Sequence, residues 1–171
     1  MPDRFEPTTD TSANLETLTD ATDPIAFLNA TPDDRRHWLR TLGLGRYAPL
    51  LAHLTHTPAN ITGVARFLTH PDRVKFPDLR SMDLSGLDLT GVNLIRAQLH
   101  HATLKNAKLR DADLIFANLS NADLSYADLS GATLNQTVWQ ATIVDGCDLR
   151  GAKGLTATLR HQLTTRGAIV D

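Results

Sequence analysis

Through the middle of this chain an apolar residue returns at every fifth position. Leucine occupies Leu79, Leu84, Leu89, Leu94, Leu99, Leu104, Leu109, Leu114, Leu119, Leu124, Leu129 and Leu134, and the register continues through Trp139, Val144 and Leu149. The residue two places earlier is small or apolar: Met82, Leu87 and Val92, then alanine at every step from Ala97 to Ala132, then Thr137, Thr142, Cys147 and Ala152. In most units a polar residue, most often Asp or Asn, stands between the two, and Ser, Thr, Gly, Arg or Asn follow the leucine. A period of five fits neither regular element. On a helix it would scatter apolar residues around the cylinder instead of along one face.

Within each unit the two apolar residues are spaced by two, which places both on one side of an extended segment. The other three positions are polar or turn-forming. The chain therefore turns once per unit, with the Ala and Leu side chains facing a common axis. Backbone groups then pair from one coil to the next at about 4.8 Å. Each buried leucine contributes roughly 1.5–3 kcal/mol on transfer. A single unit cannot cover its own apolar face, so only the stack is stable.

Units such as Ala112-Asp113-Leu114 and Ala122-Asp123-Leu124 resemble the A(D/N)LXX signature of the pentapeptide-repeat family. The resemblance runs over residues 76–153. It implies an all-β solenoid, a right-handed quadrilateral β-helix of just under four coils, about 18 Å long at the usual inter-strand spacing. The expected core is Leu84, Leu89, Leu94, Leu99, Leu104, Leu109, Leu114, Leu119, Leu124, Leu129, Leu134 and Trp139.

The flanks are expected to cap the open ends, whose unpaired backbone invites stacking on another chain. Residues 1–23 are polar, Thr-rich and acidic, and are expected to be disordered. Residues 24–75 read as a small α-helical region. Asp23-Pro24 opens a short helix through Ile25, Phe27 and Leu28. Thr31-Pro32-Asp33-Asp34 is a strong start signal for the next, with Trp38, Leu39 and Leu42 on its apolar side and Gly43 and Gly45 as its stop. A further helix is expected through Tyr47, Leu50, Leu51 and Leu54, and another around Ile61, Val64, Phe67 and Leu68, ending before Pro71. At the other end, Leu155, Leu159 and Leu163 recur every four residues, so residues 154–171 are expected to form a capping helix and tail.

Composition narrows the function more than it identifies it. The net charge of −2 points neither toward nor away from nucleic acid. The one cysteine, Cys147, falls at an inward repeat position and reads as core. Met1–Asp23 lacks the apolar run of a secretory leader, and no stretch of the chain reaches membrane-spanning length, so a cytoplasmic protein is expected. Phosphate loops, nucleophile elbows and paired cysteines are absent from the sequence, and neither catalysis nor a cofactor is expected. His100-His101 reads as a solvated pair, because neighbours on a turning chain diverge. His53 and His56 have a metal-compatible i,i+3 spacing but no further ligand, so no metal is expected.

One outward feature departs from the polar pattern. Ile95 and Ile115 are twenty apart and should stack on successive coils. Phe116 lies beside Ile115, and Tyr126 is expected to extend the strip. An exposed apolar strip on a polar rod is a candidate interface, unless the amino-terminal helices fold back over it. The expected function is therefore a protein–protein interaction module or assembly scaffold. The family is abundant in cyanobacteria, and the resemblance implies an accessory of a larger photosynthetic or regulatory complex. The alternative that it implies is a DNA mimic binding a type II topoisomerase, gyrase. Against that alternative, the repeats contain no Glu, and Lys105, Lys108 and Arg110 interrupt any acidic field.

Overall fold

The structure, a computed structural model, describes residues 22–171. The expected disorder of residues 1–23 therefore falls almost entirely outside the described residues. The centre of the chain is a β-helical solenoid. Parallel bridges join residues twenty apart without exception from Asp78↔Gln98 to Thr133↔Lys153. Leu94 N–H donates to the Asp113 carbonyl at 2.7 Å, and Asp113 N–H donates to the Val92 carbonyl at 3.0 Å. Only one residue per unit bridges in this way, so the sheets are ladders running along the axis and no strand grows long.

Two devices turn the chain between units. The residue two after each leucine has a positive φ: Arg96 at 57°, Phe116 at 60°, Tyr126 at 59°, Gly131 at 71°. A left-handed residue at the third position of a tight turn lets the N–H of the fourth reach back. Ala97 N–H accordingly donates to the Leu94 carbonyl at 2.9 Å. The Asp or Asn before the leucine fixes the turn from the side. Its carboxylate or amide oxygen accepts from the N–H two residues on, as Asp128 does from Ser130 at 3.0 Å and Asn118 from Ser120 at 3.0 Å. This is the Asx turn, and it explains why a short polar acceptor stands at that position.

All twelve expected core residues are buried, eleven leucines at 1% exposure or less and Trp139 at 6%. The alanines from Ala97 to Ala132 fill the remaining inward positions. Cys147 is buried among them, and burial pushes its thiol up to about 12. Late in the column, Thr137 and Thr142 keep inward places by donating their hydroxyls to the Leu134 and Leu119 carbonyls at 2.7 and 2.9 Å.

The amino-terminal region contains α1 (Pro24–Asn29), α2 (Pro32–Thr41), α3 (Ala48–Leu51) and α4 (Pro58–Thr69). Three open on the capping residues expected of such starts: Asp23, Thr31 and Thr57 accept from N–H groups of the first turn. Such a cap is worth about 1 kcal/mol. The helix expected through Tyr47 to Leu54 is shorter than its apolar residues suggest. A 3-10 turn at Gly45–Tyr47 leads into the single α-turn of α3, and Leu54 is buried beyond its end.

Two polar residues organise this region, and neither stands out in the sequence. Arg35 is buried, and its guanidinium donates to the Leu28 carbonyl, to Ala52 at 3.2 Å and to Leu54 at 2.7 Å, while Nε reaches Ala30 at 3.1 Å. One side chain thus gathers the ends of α1 and α3. Asn60, fully buried in α4, meets the open end of the column: its Nδ2 donates to the Asp83 carbonyl at 2.9 Å and its Oδ1 accepts from Asp83 N–H at 3.0 Å. The side-chain amide substitutes for a missing rung. Beside it, Gly63 brings α4 so close to Met82 that an added Cβ would lie 2.4 Å from its side chain.

At the carboxyl end, α5 (Ala157–Thr165) buries Leu163. The chain then returns to the column, which the expectation of a helix and tail did not include. Ile169 pairs with Asp148: Leu149 N–H donates to its carbonyl at 2.8 Å, and its own N–H donates to Cys147 at 2.8 Å. That added rung satisfies one side of the end.

Candidate functional site

The seam where the helical region meets the first coils is the candidate. Register places Lys75, Ile95, Ile115 and Asn135 in one column of turn residues, with Phe76, Arg96, Phe116 and Gln136 beside them. Tyr47 anchors the first level. Its ring packs edge-on against Phe67 at 5.2 Å, and its hydroxyl reaches the Val74 carbonyl at 3.4 Å. Arg46 also donates to that carbonyl and lies over the Tyr47 ring at 4.8 Å. The backbone is thereby held just before Lys75 and Phe76.

From there the seam builds as a stack. The Arg96 guanidinium lies 5.5 Å from the Phe76 ring centroid and 5.1 Å from that of Phe116. Lys75 approaches the Phe76 ring at 5.7 Å. Phe76 remains 41% exposed and Phe116 44% exposed. Phe76 is also the shared wall of three grooves. One continues toward α4 along Arg66, His70, Arg73 and Asp78. The second, of about 250 Å³, lies between Arg46 and Tyr47 on one side and Asn93 and Ile95 on the other. The third follows Arg96, Gln98 and Phe116.

Charge is distributed unevenly. Along the rest of the column, basic side chains other than Lys153 meet carboxylates: Lys105–Asp123 at 3.1 Å, Lys108–Asp88 at 3.7 Å, Arg110–Asp128 at 3.7 Å and Arg150–Asp148 at 2.6 Å. Asp78 takes both Arg80 at 2.6 Å and Arg66 at 3.5 Å. Burial alone would raise the Asp78 carboxyl, but hydrogen bonds from Arg80 and the two nearby guanidinium charges hold it below its ordinary value. Arg46, Arg73, Lys75 and Arg96 have no carboxylate partner among the described residues. The seam is a cationic, aromatic surface on a chain of slightly negative charge.

The structure brings Ile95, Ile115 and Phe116 together as register requires. Ile95 and Ile115 are half-buried, and the helical region flanks Ile95 without covering Phe116. Tyr126 does not extend this strip. Ten residues are half of a twenty-residue coil, so Tyr126 lies half a coil away, above Asn106 and against Gly146, and is 64% exposed. Phe76 and Arg96, absent from the sequence reading, are the centre of the surface. Counting back twenty from Phe116 and Arg96 would have found the stack.

The histidines do not form a site. His100 and His101 make an edge-on ring contact at 5.9 Å, and burial first, then the Arg80 and His101 charges, lowers His100. His53 contacts Arg36 at 3.1 Å and His56 contacts Asn29 at 2.6 Å. Among the described residues no three His, Cys, Asp or Glu side chains are grouped to hold a metal, and no helix is long and apolar enough to cross a membrane.

Comparison with known proteins adds to this picture. The family described as Pentapeptide repeats matches residues 78–111 and 98–136, in eight copies. No curated protein matches the chain. Among solved structures, a pentapeptide repeat protein from the Arabidopsis thaliana thylakoid lumen is 36% identical over 44% of this chain and 52% of its own, with a TM-score of 0.43. A pentapeptide repeat protein from Nostoc Pcc 7120 is 28% identical over 62% of this chain and 94% of its own, with a TM-score of 0.33. QnrB1, a plasmid-mediated fluoroquinolone resistance protein, is 18% identical over 52% of this chain and 60% of its own, with a TM-score of 0.25. The present chain thus spans about half the length of the first of these proteins.

Proposed function

The column belongs to the pentapeptide-repeat family, and from that premise we propose that the chain is a non-enzymatic protein–protein interaction module, a small scaffold that docks a partner at the seam. In this reading the column is the family's right-handed square coil, just under four turns long. Residues 24–75 and 154–171 serve as its two caps. The observation that carries the proposal is the stack of Phe76, Arg96 and Phe116, which keeps two large aromatic rings exposed beside half-buried Ile95 and Ile115. Aromatic and Arg side chains in such a cluster are the usual anchors of an interface. A role as accessory to a larger photosynthetic or regulatory complex is consistent with this surface.

The gyrase-binding alternative needs a continuous acidic field. Here Lys105, Lys108 and Arg110 each face an aspartate on the column, so its sides alternate in sign. A supercoiling assay distinguishes the two: gyrase inhibited at micromolar protein establishes the mimic. The direct test of the docking reading substitutes Ile95, Ile115 and Phe116 together by Ser. A partner co-purifying from native cells with the unaltered chain is expected to be lost, with the melting temperature nearly unchanged. Retention of the partner, or collapse of the fold, refutes the strip as its contact.

A further inference from the structure

Resting on that reading, we propose that the occupant of the seam is an acidic peptide segment of a partner protein, with carboxylates spaced between aromatic or aliphatic side chains. Charge complementarity is the argument. Arg46, Lys75 and Arg96 border one continuous surface, Arg73 lies at its edge toward α4, and all four are without a carboxylate among the described residues. Every basic side chain of the column from Lys105 to Arg110 has one. Elsewhere in the column only Lys153, at the far end, also lacks one among the described residues, so the free positive charge is concentrated at this surface.

The geometry sets what can bind. Arg96 lies between two rings, with its guanidinium carbon 5.5 and 5.1 Å from their centroids. Its N–H edge is what remains, and a planar carboxylate matches that edge with two parallel hydrogen bonds. Stacking also holds the side chain in place, which lowers the ordering cost of the contact. The groove between Tyr47 and Ile95 offers apolar walls, with Lys75 and Arg46 beside it. It suits an aromatic or aliphatic side chain whose sequence neighbours carry carboxylates. Bases of a nucleic acid strand would need free ring faces for stacking. Phe76 has Arg96 and Lys75 against its ring, so only Phe116, which meets Arg96 alone, has a ring face to offer, too few for a run of stacked bases.

The test measures binding of a fluorescein-labelled dodecapeptide of Glu, Asp and Phe to the full chain by anisotropy. Its counterpart with Lys for Glu and Asp, and an oligothymidylate of equal length, are the comparison probes. The acidic peptide is expected to bind, to weaken by about tenfold or more in Lys75→Gln/Arg96→Gln and further in Lys75→Glu/Arg96→Glu, and to weaken as salt rises toward about 0.5 M. Lys75 and Arg96 are exposed, so these variants keep the fold, which circular dichroism verifies. The chain's own residues 1–21 carry Asp3, Glu6, Asp10, Glu16 and Asp20 against Arg4 and could compete. A second chain changes those five acids to Asn or Gln. Binding seen only in that chain makes the chain's own segment the occupant and overturns the proposal. Binding of the oligothymidylate in preference to the peptide also overturns it, as does peptide binding indifferent to Lys75 and Arg96. Absence of peptide binding while the triple Ser variant still loses its cellular partner rejects the acidic occupant alone and leaves the docking reading in place.

Discussion

In the column, each inward side chain meets its counterpart twenty residues away, and the same two contacts repeat at every level. In the helical region nothing repeats, and the elements are joined by single residues with several partners. Arg35 binds four backbone carbonyls, and Asn60 alone supplies both hydrogen bonds to Asp83 at the column's open end. Stability that is distributed tolerates the loss of one unit. Stability concentrated in one buried polar group does not, because every partner of that group loses its hydrogen bond at once.

The largest expected effect follows from this contrast. Arg35→Met removes the donor for the Leu28, Ala52 and Leu54 carbonyls. A buried acceptor left without a partner costs about 1–3 kcal/mol, so the helical region should lose much of its stability. Hydrogen exchange read residue by residue should accelerate in α1 to α4 while the column amides stay protected. Equal acceleration in both regions would show one cooperative unit and erase the distinction.

Asn60→Ala tests the joint between the two regions. It leaves Asp83 N–H and its carbonyl without partners at the end of the column. The Thr55 carbonyl loses its donor as well, and the expected loss is about 1–3 kcal/mol, smaller than for Arg35 because these hydrogen bonds are only part-buried whereas those to Leu28, Ala52 and Leu54 are buried. Exchange should rise at the Asp83 level and in α4, and fade at the levels above. Exchange that rises equally at Thr103 and Asp123 would mean that the column has no independent levels.

These two residues also show what the sequence could and could not disclose. The column was legible because its rule is local: Ala or Leu inward, Asp or Asn accepting from the next turn, one unit like the next. Register twenty then places Ile95, Ile115 and Phe116 together, and equally sets Tyr126 on another side. Treating Tyr126 as a neighbour overlooked that ten residues are half a coil. Arg35 and Asn60 look in sequence like ordinary polar helix residues, since what distinguishes them is burial against carbonyls or N–H groups distant along the chain. The rung at Ile169 was hidden for a related reason. It pairs with Asp148 at an offset of 21 instead of 20, because α5 interrupts the repeat.

The smallest expected effect concerns acid, and it probes the column's turns. Asp78, Asp88, Asp123 and Asp148 all titrate below their ordinary value. For Asp123, burial alone would raise the carboxyl, and hydrogen bonds from Ser125 and Lys105 outweigh it. For Asp148, the hydrogen bond from Arg150 is the leading cause. An unfolded aspartate titrates near about 3.9, so these groups bind protons more weakly in the folded chain. Their contribution is present in full above that value and is lost as pH falls through the depressed folded values. Solvent screening keeps it small, because Lys105 is half exposed. Asp123→Asn preserves an acceptor for the Ser125 N–H while removing the charge. It should melt below the unaltered chain at pH 6, and the gap should narrow toward pH 3, where the unfolded aspartate takes up its proton. No gap at either pH would assign the stabilisation to the Asx turn alone, because the variant keeps that turn. The column's charge pairs would then set only its surface potential, which is the property that separates its sides from the seam, whose cations meet no carboxylate among the described residues.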